Sequence, residues 1–399
     1  MKPEKKERIG IYGGTFDPPH LGHMEAASAA MDTLGLSKLF FIPARLPPHK
    51  MLSQDSAPPE QRLAMTALMA GGMGPPDRVR TLDLELNRPG LSYTSDTLEY
   101  LSAEYPKSEL WLLMGSDMFG SLQTWHDPHK VMRLASIAAF ARSETENGEL
   151  FAIQGAFLNN KFGAEICTIQ LPKITDISST SLRSSLREGK GKQYLWPAVY
   201  GYILRNGLYG VKSDLTRLSD EDLRAVSYSM VKAKRIAHIR GTEETAAAMA
   251  KKWGADEEKA RRAAILHDCT KYLTLEQQLA LCGRYHIVPD ELERQTLKLL
   301  HAKTGAALAR DMFGECPDVV NAIRWHTTGK PGMTTLEKII YLADYIEPTR
   351  DFPGVDTLRA VAEESLDKGV KSGLAMTVEE MRALGTPVHH NTLDALEGL

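Results

Sequence analysis

Cysteine is scarce in this chain, and the little there is carries no pattern. The four cysteines, Cys167, Cys269, Cys282 and Cys316, are scattered with no CxxC pair. That spacing excludes a disulfide scaffold and a Cys-rich structural zinc site, and makes reduced thiols in a cytoplasmic protein the expectation. An excess of one charge is also missing. Forty-eight Lys and Arg against 51 Asp and Glu leave a net charge of −3 over 399 residues, whereas a bulk nucleic-acid binder would be markedly basic. No run approaches the roughly 18 apolar residues that a membrane helix needs. The opening MKPEKKERIG lacks the apolar core of a signal peptide. No nucleic acid polymer and no membrane are therefore expected as partners. Internal repeats, low-complexity tracts and a Walker phosphate-loop pattern are absent too.

What is present is an ordinary globular composition, 43% hydrophobic and 25% charged, in a chain long enough for two domains. Residues 1 to about 210 alternate strand-like and helix-like segments. LFFIPA (39–44), VRTLDLEL (79–86), LWLLMG (110–115), SIAAFAR (136–142) and EICTIQLP (165–172) read as strands, with helical stretches at 60–70 and 95–104. This alternation predicts βαβ units and a largely parallel sheet covered on both faces. PAVYGYILRNGLYG closes the half as a helix that Gly207 and Gly210 terminate. Beyond it, SDED at 219–222 has the spacing of a capping box, β-branched runs nearly vanish, and helical periodicity takes over. The boundary is placed near residue 212, with an α/β domain at 1–211 and an all-α domain at 212–399.

The stretch GGTFDPPHLGH (13–23) follows the β-type run RIGIY and precedes a segment in which Met24, Ala27, Met31 and Leu34 share one helical face. A strand, a tight glycine turn and a helix N-terminus are expected there, with His20 and His23 on the first turn. Free backbone N–H groups and the helix dipole make such a place receptive to phosphate. In an open parallel sheet, ligands bind beyond the C-terminal strand ends. Arg45, His49 and Lys50 follow the second strand, Asp117, Trp125 and His126 follow LWLLMG, and Ser178, Ser179, Thr180 and Arg183 follow the last apolar strand. Hydroxyls, imidazoles and cations converging on one crevice predict a polyanion site.

HLGH together with ISSTSLR resembles the nucleotidyltransferase family in which HxGH and ISSTxxR motifs clamp a nucleoside triphosphate. GGTFDPPHLGH, PPHK, SYTSDTL (92–98), GSD and Trp125 are similar, over residues 8 to 210, to nicotinate mononucleotide adenylyltransferases. The resemblance implies a Rossmann-like fold and adenylyl transfer from ATP to nicotinate mononucleotide. It implies that His20 and His23 hold the phosphates, with Gly13, Gly14 and Thr15 lining the same turn. Ser178, Ser179, Thr180 and Arg183 would close over the β- and γ-phosphates, with Mg²⁺ as counterion and Lys50 adding charge. Trp125 would stack on the pyridine ring or pack in the core. Thr94 and Asp117 would face the pyridine nucleotide, Asp117 alternatively being a helix N-cap.

In the second half, His238, the doublet His267–Asp268, His301, His326 and Asp344 lie on or beside apolar helical stretches, with Lys271 one turn past the doublet. Imidazoles and carboxylates beside buried positions are costly unless paired. A metal would pair them, and a donor set without thiolate suits Fe, Mn or Zn. The H…HD…H…H…D order, with HDCTK, AIRWHTTGKPGMTTLEKIIYLADYIEPTR and HHNTLDAL, resembles a bacterial HD-domain metallophosphohydrolase family that cleaves diadenosine tetraphosphate symmetrically to two ADP. The resemblance covers roughly 225 to 395. It implies a two-metal site in which Asp268 bridges, His238, His267 and Asp344 serve one ion, and His301 and His326 serve the other. Lys271 would neutralise the scissile phosphate. His286, His389 and His390 have surface or C-terminal packing roles by default, and Cys269 is a small packing residue. A bifunctional enzyme is expected, acting on ATP, nicotinate mononucleotide and diadenosine tetraphosphate, with a homo-oligomer left open. Alternative readings keep the folds but give the first half another phosphate-monoester acceptor. They make the second half a different nucleotide phosphohydrolase or a nucleotide-sensing regulatory module.

Overall fold

The computed structural model describes residues 6–48, 51–141, 148–171 and 177–399. The chain separates into two compact units, Met1–Lys212 and Ser213–Leu399. In the first unit the strands are β1 (Arg8–Gly14), β2 (Lys38–Pro43), β3 (Val79–Thr81), β4 (Glu109–Gly115), β5 (Ser136–Ala141) and β6 (Ile166–Gln170). They form one sheet in the order β3-β2-β1-β4-β5-β6, parallel at every pairing. Helices α1 (Leu21–Leu34), α2 (Pro59–Gly71), α3 (Thr94–Glu104), α4 (Ser116–Ser121), α5 (Pro128–Leu134), α6 (Gly148–Phe162), α7 (Ser179–Arg187) and α8 (Pro197–Asn206) accompany it.

The strands read as unbroken apolar runs because both faces of the sheet are buried. Successive residues alternate between two cores: Leu39 and Phe41, Trp111 and Leu113, and Ala138 and Phe140 enter one, while Phe40 and Ile42, Leu112 and Met114, and Ile137 and Ala139 enter the other. Strand β3 is shorter than its apolar run predicts. It lies at the edge of the sheet, and among the described residues it pairs with β2 alone. From Leu82 the chain turns, and the N–H groups of Leu86 and Asn87 both donate to Asp83 O. The strand order reverses direction between β1 and β4, which places a crevice beyond their C-terminal ends.

The second unit is all helical: α9 (Asp220–Tyr228), α10 (Ile236–Trp253), α11 (Glu257–Leu266), α12 (Leu275–Arg284), α13 (Glu291–Gln295), α14 (Leu297–Phe313), α15 (Pro317–Trp325), α16 (Thr335–Ile346), α17 (Val355–Glu364), α18 (Leu366–Ala383) and α19 (His390–Glu397). The starts are set by local chemistry. Ser219, Asp256, Thr274, Asp290 and Thr334 each accept a backbone N–H from the third residue on. Gly254 and Gly314 end α10 and α14 in the left-handed conformation that a side chain disfavours. Small residues let α10 and α11 approach closely, with Ala246, Ala250, Ala260, Ala263 and Ala264 all inaccessible to solvent. No described helix is long and apolar enough to cross a membrane.

Candidate active sites

In the first unit, the end of β1 leads through Gly13 and Gly14 into α1. A Cβ on Gly14 would press on the Phe16 ring, at 3.1 Å from its nearest atom, so a side chain there would require the ring to shift. Phe16 itself has φ +50°, a strained conformation for a bulky residue, and is held among Tyr12, Phe41 and the His23 ring. His20 is the N-cap of α1 and His23 lies one turn in, their rings 3.8 Å apart between centroids. His23 Nδ1 accepts the His20 backbone N–H at 3.1 Å. The proton of the neutral ring is thereby assigned to Nε2, which becomes a donor. Burial, and then the neighbouring His20, push the His23 imidazolium well below the usual histidine range.

A cleft of about 330 Å³ opens beside these rings. Its lining includes Thr15, His20, Gly22 and His23 from one side, Gly115 and Ser116 from the end of β4, and Ser178, Ser179 and Thr180 from the start of α7. Two helix N-termini therefore face one space, and neither α1 nor α7 carries an acidic residue in its first turn. That arrangement favours an anion. Ser178 caps α7 through a reciprocal pair with Ser181. The Ser179 hydroxyl donates to Pro18 O at 3.1 Å, tying α7 to the β1–α1 turn.

Other predicted residues lie outside this lining. Arg183 is buried, donating to Asp17 O at 2.9 Å and Ser53 Oγ at 2.7 Å, with Asp55 Oδ1 3.3 Å from its Nε. Thr94 opens α3, and Asp117 sits in the first turn of α4, whose N-cap is Gly115. Trp125 is partly buried and packs against the second core of the sheet, and His126 stacks on Tyr93. Lys50 and His49 lie outside the described residues.

Sequence reasoning missed the polar hub beneath the cleft. Arg62 is fully buried and donates to four backbone carbonyls, those of Ala57 (3.2 Å), Thr15 (2.8 Å), Ala44 (2.7 Å) and Arg45 (3.2 Å). Asp17 accepts from Ala57 N–H at 3.0 Å and the Tyr209 hydroxyl at 2.8 Å. A signal for Arg62 existed: it shares a helical face with Met65, Thr66, Met69 and Ala70, the buried stripe of α2.

In the second unit five helices bring six predicted residues together. His238 comes from α10, His267 and Asp268 from the end of α11, His301 from α14, His326 from the end of α15 and Asp344 from α16. The Nε2 atoms of His238 and His267 lie 3.2 Å apart, and those of His301 and His326 3.1 Å apart. Asp268 spans the two pairs. Its Oδ2 is 3.4 Å from His267 Nε2, and its Oδ1 is 3.2 Å from His301 Nε2. Asp344 Oδ1 is 3.0 Å from His238 Nε2.

The opposite ring nitrogens face acceptors: His238 Nδ1 meets Glu347 Oε1 at 2.9 Å, His267 Nδ1 meets Ala264 O at 2.6 Å, and His326 Nδ1 meets Ile323 O at 2.6 Å. Each of these three rings then keeps its proton on Nδ1 and turns a lone pair into the cluster, the arrangement metal-ligating histidines use. The residues fit a pair of divalent cations. A second group in this unit, Asp290, His389 and His390, looks similar and does not fit. His389 Nδ1 accepts the Asn391 N–H, so its Nε2 carries the proton and faces Asp290 Oδ2 at 2.9 Å.

Burial alone would raise the Asp268 and Asp344 carboxyls, but neighbouring imidazoles and cations hold both well below the usual carboxylate range. Lys271 lies 3.1 Å from Asp268 Oδ1, Arg235 Nε 2.5 Å from Asp268 Oδ2, and Arg350 2.6 Å from Asp344 Oδ1. Burial pushes His238, His301 and His326 down, so they stay neutral. Arg235, Glu347 and Arg350 had not been singled out in the sequence.

Comparison with known proteins follows the same division. Residues 11–185 match the cytidylyltransferase-like family and residues 235–349 the HD domain family. A Geobacillus kaustophilus protein named "probable nicotinate-nucleotide adenylyltransferase" is 35% identical over 210 residues, 52% of this chain and 89% of that protein. A Halalkalibacterium halodurans protein named "bis(5'-nucleosyl)-tetraphosphatase, symmetrical" is 41% identical over 165 residues, 40% of this chain and 85% of that protein. A crystal structure from Clostridium acetobutylicum, described as that of a "predicted HD superfamily hydrolase involved in NAD metabolism", is 38% identical. It covers 45% of this chain and 96% of its own, with a TM-score of 0.44.

Proposed function

Because its first unit belongs to the nicotinate-nucleotide adenylyltransferase family and its second to the HD hydrolase family, we propose that this chain is a bifunctional nucleotide enzyme. The first unit joins nicotinate mononucleotide to the adenylyl group of ATP and releases pyrophosphate. The second hydrolyses diadenosine tetraphosphate to two ADP.

One observation carries the first reading: two acid-free helix N-termini and the His20–His23 pair face a single cleft at the C-terminal end of the sheet. The phosphate of the mononucleotide attacks the α-phosphorus of ATP in line, and the bond to pyrophosphate breaks. Positioning and charge stabilisation are all that such a step asks of a protein. His23 Nε2–H and the first-turn amides of α1 donate to the phosphate oxygens as charge builds. Ser178, Ser179 and Thr180 hold the distal phosphates, with Mg²⁺ arriving on the ATP. Arg183 acts from behind: bonded to Asp17 O, it fixes the turn that carries His20. Thr94, Asp117 and Trp125 are assigned to the pyridine side, and Lys50 to the phosphates.

For the second unit the carrying observation is the split of Asp268 between two imidazole pairs. His238, His267 and Asp344 would hold one divalent cation and His301 and His326 the other, with Asp268 shared. Two such ions supply Lewis-acid stabilisation of an in-line displacement and lower the pKa of water. Lys271, 3.1 Å from Asp268, balances the charge of the polyphosphate. Fe, Mn and Zn all suit this oxygen and nitrogen donor set.

Chromatographic product analysis of the full chain tests both halves. One reaction contains ATP, Mg²⁺ and nicotinate mononucleotide, the other diadenosine tetraphosphate with Mn²⁺ or Fe²⁺. Nicotinate adenine dinucleotide in the first and ADP as the only product in the second are expected. A tetraphosphate that survives every metal would remove the hydrolase assignment and favour a nucleotide sensor.

A further inference from the structure

The two nitrogens of His238 are held by carboxylates only three residues apart. Asp344 Oδ1 lies 3.0 Å from Nε2 and Glu347 Oε1 2.9 Å from Nδ1. Glu347 follows α16 directly as its C-cap, is inaccessible to solvent, and has its carboxylate pinned by the Thr349 N–H (2.7 Å) and hydroxyl (2.5 Å). On the facing helix α10, Gly241 stands one turn beyond His238. A Cβ added there would overlap Glu347 Oε2 and crowd the Pro348 ring at 3.3 Å. Gly241 lies within α10 and has an ordinary helical backbone. Turn geometry therefore does not require glycine there, and the clearance for Glu347 does.

We propose that Glu347 is a positioning residue for the metal centre, orienting His238 and raising its donor strength, and that Gly241 serves to admit its carboxylate. Glu347 holds the proton on Nδ1 and directs the Nε2 lone pair into the cluster. It also places negative charge behind the ring, which makes the imidazole a stronger ligand. Any larger residue at 241 pushes Oε2 off the Thr349 N–H and swings Oε1 away from His238 Nδ1 and the Thr349 hydroxyl. This inference rests on the metal reading of the second unit, so the test separates the two.

The full chain is stripped of metal by chelation and titrated with Co²⁺ alone. Its ligand-field absorption reports both affinity and the nitrogen and oxygen donor set. Wild type is measured first; if it takes up no Co²⁺, the metal reading falls and this proposal falls with it. If it loads, Glu347→Gln is expected to weaken uptake roughly 10–100-fold and shift the absorption, because the isosteric amide keeps an acceptor for Nδ1–H but removes the charge. Glu347→Ala is expected to lose at least as much. Gly241→Ala should reproduce the Glu347→Ala effect in a chain that still carries the glutamate. Adding Gly241→Ala to Glu347→Ala should cost little more, since the clearance then has nothing to admit. Thermal melting of each metal-free variant reports folding separately. Variants that melt early yet load Co²⁺ with wild-type affinity would make Glu347 merely structural and overturn the proposal. Fully additive losses from the two positions would overturn the role given to Gly241.

Discussion

Replacing Arg62 with methionine removes the most heavily bonded buried cation of the first unit while keeping a similar volume on the apolar stripe of α2. Four carbonyls lose their donor: Thr15 in the turn before the cleft, Ala44 and Arg45 after β2, and Ala57 ahead of α2. Hydrogen bonds to a charged group contribute about 1.5–3 kcal/mol each, which would sum to an unrealistic total if all four acceptors stayed dry. Breaking one side of a buried ionic arrangement typically costs about 3–5 kcal/mol. Asp17, whose charge favours the Arg62 guanidinium electrostatically, keeps Tyr209, the Ala57 N–H and Arg183 as partners, which limits the loss. A loss of roughly 4 kcal/mol is therefore expected. For a unit of this size that lowers the midpoint by about 8–16 °C at about 2–4 °C per kcal/mol. Calorimetry of the full chain measures it, the first-unit transition being the one that ATP shifts upward. Arg62→Lys keeps the charge but has one nitrogen for four carbonyls, and should recover less than half of the loss. If both variants melt within about 1 kcal/mol of wild type, the hub does not hold the turn and the reasoning is wrong.

Three further outcomes follow from the same geometry. His20→Ala and His23→Ala should each lower kcat for adenylyl transfer by about 10²–10³, as loss of a transition-state donor does, while tetraphosphate hydrolysis by the same preparations is unchanged; steady-state kinetics of both reactions check this. The folded state depresses the His23 pKa below its unfolded value, so this group's contribution is intact above about pH 6.5 and is lost as the unfolded chain takes up the proton on acidification. The loss reaches at most about 1.4 kcal/mol by pH 5.5, and in melting curves at pH 7 and 5.5 His23→Gln should remove that part of the pH dependence. Asp268→Ala should lower the divalent metal content measured by elemental analysis at both positions and abolish hydrolysis, leaving adenylyl transfer intact. Retention of two metals would contradict a shared carboxylate.

The α/β half was legible because its signals are local. Apolar runs marked the strands, and the spacing of Met24, Ala27, Met31 and Leu34 marked α1. The run at 79–86 misled because its apolar and acidic alternation continues past Thr81, whereas the chain leaves β2 there and turns, with the Leu86 and Asn87 N–H groups bonded to Asp83 O. The HxGH and HD residues could be named in advance because their types are unusual at such spacings. Arg183 could be named too, but its burial against Asp17 and Asp55 could not. The helical spacing of Arg62 with Met65, Met69 and Ala70 hinted at its burial, but not at the four carbonyls it meets.

By itself, then, the sequence determined most of the segments that become strands and helices, where caps and glycines end them, and which residues are candidates for phosphate and metal chemistry. These depend on interactions within a few residues. Only the tertiary structure decided which cations are buried, how Asp268 divides its two oxygens, and which ring nitrogen of His238, His267 and His326 faces the cluster. The physical reason is distance along the chain. Arg62 reaches Thr15 across 47 residues, and His238 meets Glu347 across 109. No local pattern encodes contacts of that range, because they arise only when separate elements pack and burial makes each polar atom find a partner.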